Sequence, residues 1–277
     1  MAIDYNKYIN STGTHYISNS GSDENGNTHG GKAGDQTGKE WQLRSWYNRP
    51  WNYVFRHPDP NVRRLIAELG IEAALNDLIG YDQWQRITFW DQLKVSGYQP
   101  ANIKVACEGD CSADASAIVK AVGYLLNSAA LKNVSENHNT STLRAALVKA
   151  GFEVLTASKY TTGYSFLLPG DILLYEGHHA SINITRGKNA TGSVASSVDT
   201  GAASTPTTPS TPSTGKVVTV TGGSVNVRNA ADTSGKILGI VKKGQTLPYL
   251  STASTGWYCV QYNGQTAYIS NKYTTVS

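Results

Sequence analysis

The segment DCSADASAIVKAVGYLLNSAAL, residues 110–131, spaces its apolar side chains as an α-helix does. At 3.6 residues per turn, seven of them fall on one face: Ala115, Ile118, Val119, Val122, Leu125, Leu126 and Ala129. The segment therefore predicts a helix over 112–131 that packs one face against a core. Asp110 precedes this helix as its expected N-cap, and Cys111 lies in its first turn.

A cysteine at the start of a helix lies near the positive end of the helix dipole and near free backbone N–H groups. Both effects lower the pKa of a thiol from about 8.5 and favour the nucleophilic thiolate. A thiolate catalyst also needs an imidazole, which ordinarily comes from a distant part of the chain. Cys111 is therefore either a nucleophile or a small buried thiol, and the presence of a partner decides between them.

A second segment, GDILLYEGHHASINI at residues 170–184, offers such an imidazole. It predicts two strands, 171–176 and 180–185, joined by Gly-His-His at 177–179. A histidine at the start of the second strand would be held by the sheet and could face a cysteine on a helix. The alternative is a pair of surface histidines at the end of a sheet.

The rest of the N-terminal region predicts helices before strands. Helical patterns cover 61–69, 71–80, 82–95 and 142–150, and a strand is expected over 152–156. Helices followed by an antiparallel sheet are typical of an α+β domain.

Residues 10–40 are rich in Gly, Asn, Ser and Thr and predict little regular structure. An aromatic cluster follows: Trp41, Trp46, Tyr47, Trp51, Tyr53 and Phe55. Such a cluster forms part of a core or wall, or it contacts substrate, and we take Trp46 as the candidate contact.

Residues 190–215 form a low-complexity stretch rich in Thr, Ser and Pro, which predicts an extended linker of roughly 30 Å. The sequence thus predicts a domain over 1–189, a linker over 190–215 and a second domain over 216–277. The two domains are expected to move independently and to have different functions.

The last 62 residues predict a small all-β barrel. Short β-rich runs cover 217–220, 224–228, 237–241, 257–262 and 266–269, and Asn-Gly between the last two is a hairpin signal. Four aromatic residues are candidates to face a ligand, although strand alternation allows only about half of them to do so. They are Trp257, Tyr258, Tyr262 and Tyr268.

Charge and cysteine content narrow the setting. Residues 216–277 hold six Lys and Arg against Asp232 alone, whereas the rest of the chain sums to −1. A basic module favours an anionic partner, either a bacterial cell-wall polymer or a nucleic acid. Three cysteines leave at least one free thiol and do not form a disulfide framework, and Cys259 is expected to be a packed, inert thiol.

Two resemblances follow from these motifs. Asp110-Cys111-Ser112 opening an apolar helix, followed by Gly170-Asp171 and a later His-x-small-Ile, resembles the NlpC/P60 cysteine peptidases and related CHAP amidases of peptidoglycan hydrolases. That resemblance covers residues 105–190. The segment 216–277 resembles the bacterial SH3-like domains that anchor cell-wall hydrolases. Together they imply a papain-like α+β catalytic domain and an SH3-like barrel, with bacterial peptidoglycan as partner, no cofactor, no metal and no nucleic acid.

The resemblance also assigns residues. In the family, a small residue follows the catalytic His at +2 and apolar residues follow at +3 and +5; from His179 these are Ser181, Ile182 and Ile184. His179 is therefore the expected base, and His178 a neighbour that contacts substrate. Cys111 is the expected nucleophile, and the flanking Asp110 and Ser112 are expected to lie against substrate.

One family feature is missing from the sequence. The third polar residue, which orients the His, usually lies on the following strand, but only Asn189, Thr191 and Ser193 are available there. Asn183, on the same strand as His179, would be about 13 Å away at strand rise. The family's aromatic residue just before Asp-Cys-Ser is also absent.

The implied protein is a phage endolysin that cleaves a stem-peptide amide or the muramoyl-alanine bond. The start of the chain lacks the basic and apolar regions of a secretory signal, and no run of 18 apolar residues appears. We therefore expect storage in the host cytoplasm until lysis and no membrane insertion. An autolysin cloned without its signal is the alternative, and the oligomeric state is left open.

Parts of the sequence also fit other functions. A wall-binding protein with a vestigial Cys–His pair fits the missing third residue. A glycan-cleaving lysozyme would need two carboxylates across a cleft, and the sequence offers Glu40, Asp91, Glu108 and Asp110. The Asp23-x-Asn25-x-Asn27 pattern resembles a calcium loop, but Gly34 stands at its twelfth position where Glu is needed. No His-Glu-x-x-His helix supports a zinc amidase.

Overall fold

The computed structural model describes residues 3–195, 216–229, 231–233, 235, 237–253, 256–262 and 265–277. The chain divides into two compact units between residues 200 and 201, inside the predicted linker. Residues 196–215, most of that linker, lie outside the described residues. None of the helices in the described parts of the chain has the length and apolar composition to cross a membrane.

The N-terminal unit mixes helices with an antiparallel sheet, as predicted. Its α-helices are α1 (Tyr5–Ile9), α2 (Pro60–Ala74), α3 (Thr88–Val95), α4 (Cys111–Leu125), α5 (Ala129–Lys132), α6 (Leu143–Lys149) and α7 (Ser158–Thr161). Its strands are β1 (Tyr16–Ser20), β2 (Trp41–Ser45), β3 (Tyr53–Arg56), β4 (Ile79–Tyr81), β5 (Cys107–Gly109), β6 (Glu153–Leu155), β7 (Ile172–Tyr175) and β8 (His179–Asn183).

Six strands form one sheet in the order β2-β1-β8-β7-β3-β6, with every neighbouring pair antiparallel. The predicted hairpin β7–β8 lies at its centre. Strand β1 pairs with β8 so that Ser18 lies opposite Ile182. Strand β1 comes from the region that the composition had marked as irregular, and β2 from the start of the aromatic cluster, so the sheet is completed from the early part of the chain.

Helix boundaries differ from the prediction in three places. The helices expected over 61–69 and 71–80 are one helix, α2, which continues through Gly70. A side chain at Gly70 would lie only 3.4 Å from Ser18 and Ile184, so its absence lets the helix approach the sheet closely. Residues 79–81 form strand β4, and α3 begins at Thr88 rather than near 82.

Helix α4 begins where the sequence placed it but ends earlier, at Leu125. Asn127 then adopts a positive φ of 52°, which breaks the helix before α5. Most of α4 is buried, and it packs against α2, α3 and the central strand β8 within one core. That packing brings the start of α4 to the sheet.

The N-terminal unit extends beyond residue 189, where the sequence placed its end. Arg63 donates to the carbonyl of Ser193 at 2.6 Å, Ala190 is buried, and Val194 packs against the core. Residues 190–195 therefore belong to this unit, because they return to cover α2.

The Gly170-Asp171 turn anchors the central hairpin. Asp171 is fully buried and forms a bidentate pair with Arg56, at 2.8 Å from Nε and 2.5 Å from Nη2. Gly170 has a φ of +80°, and a Cβ there would lie 2.1 Å from the carbonyl oxygen of Arg63. The turn therefore requires glycine for its backbone conformation and for space.

The C-terminal unit is all-β, as expected, with more strands than the sequence indicated. Seven strands form an antiparallel sheet in the order β11-β10-β14-β13-β12-β9-β15. They are β9 (Val217–Val220), β10 (Ser224–Arg228), β11 (Ile237–Lys242), β12 (Thr246–Thr252), β13 (Tyr258–Tyr262), β14 (Gln265–Ile269) and β15 (Thr274–Val276). The two missed strands, β12 and β15, both pair with β9.

We predict that Gly170→Ala destabilises the N-terminal unit by about 3 kcal/mol or more, because the new methyl meets the Arg63 backbone. Gly177→Ala is the matched control, since Gly177 has nearly the same φ of +79° but nothing within 4 Å of its Cβ position. That variant should lose only about 1–2 kcal/mol, the strain of a left-handed residue. Urea unfolding measures both, and equal losses would show that the clash is relieved without strain.

Candidate active site

Helix α4 begins as the sequence predicted, with Asp110 as its N-cap. The Asp110 carboxylate accepts backbone N–H bonds from Ser112 at 3.0 Å and Ala113 at 2.9 Å, which satisfies two N–H groups that have no partner within the helix. Cys111 is the first residue of the helix. The cap thus fixes the backbone that carries the thiol.

The start of α4 lies against strand β8. Cys111 and Ala180 line one small cavity between the two elements, and the backbone N–H groups of Ala180 and Ser112 act to lower the pKa of the Cys111 thiol. Ala180 directly follows His179 in β8, so the main chain that carries the predicted base lies beside the start of α4. Cys111 is 8% exposed and His179 is 5% exposed, so both lie largely out of water.

His179 is the first residue of β8, and its ring is held on two sides. Its Nε2 lies 2.8 Å from Oδ1 of Asn19, and the Trp51 ring stacks on it at 6.0 Å between centroids. A carbonyl oxygen can only accept, so Nε2 must carry the proton. The other nitrogen, Nδ1, is then the unprotonated one that can act as a base.

Asn19 is the residue that the sequence analysis missed. It lies on β1, the strand that pairs with β8, and its Oδ1 also accepts hydrogen bonds from Ser181 at 2.7 Å and Tyr47 at 3.1 Å. The orienting residue was expected on the strand that follows His179 in sequence. The strand that pairs with β8 is β1, which comes from the other end of the domain. The alternation in Tyr16-Ile17-Ser18-Asn19-Ser20 is the only signal, and it is too short to stand out.

Asn183 has a structural role elsewhere, in agreement with its exclusion as an orienter. Its Oδ1 bonds to Nε2 of His15 at 2.7 Å, and its amide donates to the carbonyls of Leu168 and Thr185. Burial lowers the pKa of His15 to about 4, so this histidine is neutral in the core.

The prediction of a lowered thiol pKa is wrong for this structure. Burial, followed by the negative charge of Asp110, raises the pKa of Cys111 to about 12. Burial, followed by the positive charges of Arg49 and Arg44, lowers the pKa of His179 to about 3. For Cys111, desolvation outweighs the favourable effect of the N–H groups at the helix start. The raised pKa of the thiol and the lowered pKa of the imidazole both favour the neutral forms of these groups.

A cleft of about 310 Å³ opens beside Cys111. Its lining includes the predicted residues Asp110, Cys111, Ser112 and His178, together with Arg86 and Asn139. Arg86 braces this wall: its Nε lies 2.6 Å from Asp110, and its Nη2 donates to Ser112 and to the carbonyl of His138. The cleft therefore gives a ligand access to the thiol along the start of α4.

Trp46 lies away from this cleft. Its ring contacts Tyr164 edge to face at 5.6 Å and packs against a small apolar cluster that is separate from the main core. Trp51, from the same aromatic segment, is the residue that contacts His179. The aromatic segment thus serves the site through a residue that the sequence analysis did not single out.

In the C-terminal unit, strand alternation divides the four aromatic candidates. Tyr258 and Tyr262 pack against the core with Val260 between them, whereas Tyr268 alternates with the core residues Ala267 and Ile269. Trp257 precedes β13 and is partly buried. Cys259 is buried, and burial raises its pKa.

The four acidic residues of the lysozyme alternative have other partners. Glu40 accepts backbone N–H bonds from Gln36 and Tyr81, Glu108 accepts one from Gly34, and Asp91 pairs with Lys94 at 2.8 Å. Asp110 alone lines the cleft, where it caps α4.

The calcium-like pattern also has a local explanation. Asp23 accepts the N–H groups of Asn25 at 2.9 Å and Asn27 at 2.6 Å, which makes a tight turn. Among the residues that the structure describes, no group of three or more His, Cys, Asp or Glu side chains is placed to hold a metal ion.

Comparison with known families gives two matches, in separate parts of the chain. Residues 17–190 match the family described as endolysin-like domain, which spans more than half of the chain. Residues 223–275 match the family described as bacterial SH3 domain. No curated protein matches the chain.

We predict that iodoacetamide alkylates Cys111 slowly at neutral pH and that the rate keeps rising up to about pH 10, because its thiol titrates above the ordinary range. Peptide mapping by mass spectrometry separates Cys111 from Cys107 and Cys259, whose pKa values are also raised by burial. A rate that levels off below about pH 7 would show a resting thiolate and contradict the neutral pair.

Proposed function

The chain belongs to the endolysin-like domain family, and we propose that it is a peptidoglycan hydrolase in which Cys111 cleaves an amide bond with His179 as its base. The bond is a stem-peptide amide or the muramoyl-alanine amide. The observation that carries the proposal is that Cys111 lines one small cavity with Ala180, the residue after a histidine whose tautomer is set by Asn19. Cysteine chemistry and a papain-like arrangement are part of this proposal.

The first step is a proton transfer coupled to attack. His179 Nδ1 takes the proton from the Cys111 thiol as the sulfur adds to the amide carbonyl. The N–H of Cys111 is among the first of α4 and has no carbonyl partner within the helix, so it can stabilise the oxyanion. A neutral starting pair makes His179 a general base in this step.

The second step releases the amine. The tetrahedral intermediate collapses to a thioester on Cys111, the C–N bond breaks, and the His179 imidazolium protonates the leaving nitrogen. Water, deprotonated by the neutral imidazole, then hydrolyses the thioester and restores the thiol. Asn19 accepts the hydrogen bond from Nε2–H throughout. The ring therefore cannot flip and present Nε2 in place of Nδ1 to the sulfur.

The C-terminal unit supplies targeting. Its match to bacterial SH3 domains and its charge of six Lys and Arg against one Asp fit an anionic wall polymer. A covalent connection to the catalytic unit raises the local concentration of the latter at the wall. Storage in a host cytoplasm until lysis belongs to the same proposal.

The two alternatives find less support. A vestigial site has no need of an orienting residue, yet Asn19 accepts from His179 across two strands. A lysozyme needs a pair of carboxylates facing a cleft, whereas Glu40 and Glu108 are bound to backbone N–H groups inside the fold.

We predict that Cys111→Ala reduces wall cleavage by more than about 1,000-fold, because alanine at this position has no thiol to form the thioester. Mass spectrometry of digested walls should show a new amine with the wild-type chain and none with the variant. The variant should still sediment with purified walls, since the SH3 unit is untouched. Cys259→Ala is the control and should cleave normally.

The same digest separates the alternatives. A new reducing sugar end, still produced by Cys111→Ala, would establish a lysozyme. Binding to walls without any new end from the wild-type chain would establish a wall-binding protein.

We predict that Asn19→Ala lowers kcat by about 100-fold, because the imidazole loses the acceptor that fixes its tautomer. Asn19→Asp should recover much of the rate and shift the acid limb of the pH profile upward, since a carboxylate favours the imidazolium. Tyr47→Phe removes another donor from the same oxygen and should change kcat little. If Asn19→Ala folds by circular dichroism and keeps full kcat, Asn19 does not orient the base.

A further inference from the structure

Two arginines lie beside the site without a role in the mechanism above. Arg44 is on β2, and Arg49 is in the segment between β2 and β3. Both guanidinium groups lie over the ring of Tyr47, at 4.3 Å and 5.8 Å from its centroid. Two cations thus lie close to one aromatic ring, which stabilises each of them only modestly.

Among the residues that the structure describes, neither arginine has an acidic partner. Within the described parts of the chain, Arg56, Arg64 and Arg86 each form an ion pair with a carboxylate, and Arg44 and Arg49 do not. Both positive charges lie near the same tyrosine ring, and none of the ion pairs among the described residues offsets them. Such an arrangement is typical of a surface that receives an anion.

The pair is directly connected to the catalytic residues. Tyr47 donates its hydroxyl to Oδ1 of Asn19 at 3.1 Å, and its ring lies 6.0 Å from that of Trp51. Asn19 and Trp51 are the two residues that hold His179. A group bound by the arginines would therefore lie close to the residues that hold the proposed base.

We infer that Arg44 and Arg49 bind a free carboxylate of the substrate, so that the preferred substrate is an acidic stem peptide. The inference rests on the proposed function and names its substrate class. A guanidinium donates two parallel N–H bonds to a carboxylate, and two guanidiniums can clamp one between them. The carboxylate is either that of the glutamyl residue or that of the peptide's C-terminus.

A bound carboxylate would also affect the base. In the free protein, burial is the largest cause that lowers the pKa of His179, and the positive charges of Arg49 and Arg44 lower it further. An anion between them would offset this field and favour the imidazolium that forms during attack. Binding of the correct substrate would thereby stabilise the transition state as well as the complex.

The test is calorimetric titration of Cys111→Ala with muramoyl tetrapeptides. One peptide keeps both carboxylates, a second is amidated at the glutamyl carboxyl, and a third is amidated at the C-terminus. We expect one of the amidated peptides to bind about 10- to 100-fold more weakly, and its identity names the carboxylate that is bound. Adding Arg44→Gln and Arg49→Gln should remove this discrimination.

Arg144→Gln, in the same background, is the matched control. Arg144 also lies over a tyrosine ring, 4.4 Å from the centroid of Tyr53, and bonds to the Tyr53 hydroxyl. It does not act on the pKa of His179. This variant should keep the preference for the carboxylate.

The outcomes separate the inference from the proposed function. Equal binding of all three peptides, or a preference that survives both Arg→Gln changes, overturns the inference even when the wild-type chain cleaves walls normally. Equally tight binding of glycerol phosphate at the same arginines also overturns it. Discrimination by the arginines without any cleavage by the wild-type chain supports the inference and contradicts the proposed function.

Discussion

The amide oxygen of Asn19 is the contact on which the site depends. It accepts hydrogen bonds from His179, Ser181 and Tyr47 and thereby joins β1, β8 and the aromatic segment. An acceptor with no proton to give leaves Nε2 of His179 as a donor and Nδ1 as a base. The tautomer that the proposed chemistry needs is therefore a consequence of strand pairing.

Burial is the second constraint, and it changes the expected chemistry. A helix start favours a thiolate, but Cys111 and His179 lie so far out of water that desolvation favours their neutral forms. Charge then develops only when substrate is present. The surroundings fit this order of events, because Arg86 lines the cleft and pairs with Asp110, while the positive charges of Arg44 and Arg49 act on His179.

The sequence predicted the parts of the site that depend on local pattern. The cap at Asp110, the helix that carries Cys111 and the hairpin that carries His179 follow from spacing within short segments. Asn19 and Trp51 could not be found in this way, because their roles arise from the pairing of β1 with β8 and from packing behind the sheet. The thiol pKa was missed for a related reason, since burial is set by the whole fold.

The central claim is that His179 is held as the neutral Nε2–H tautomer with Nδ1 available to Cys111. Nitrogen-15 NMR of histidine-labelled protein measures this directly, with His179→Gln used to assign the signal. We expect a protonated Nε2, an unprotonated Nδ1 and no imidazolium at neutral pH. A protonated Nδ1, or a charged ring at that pH, would contradict it.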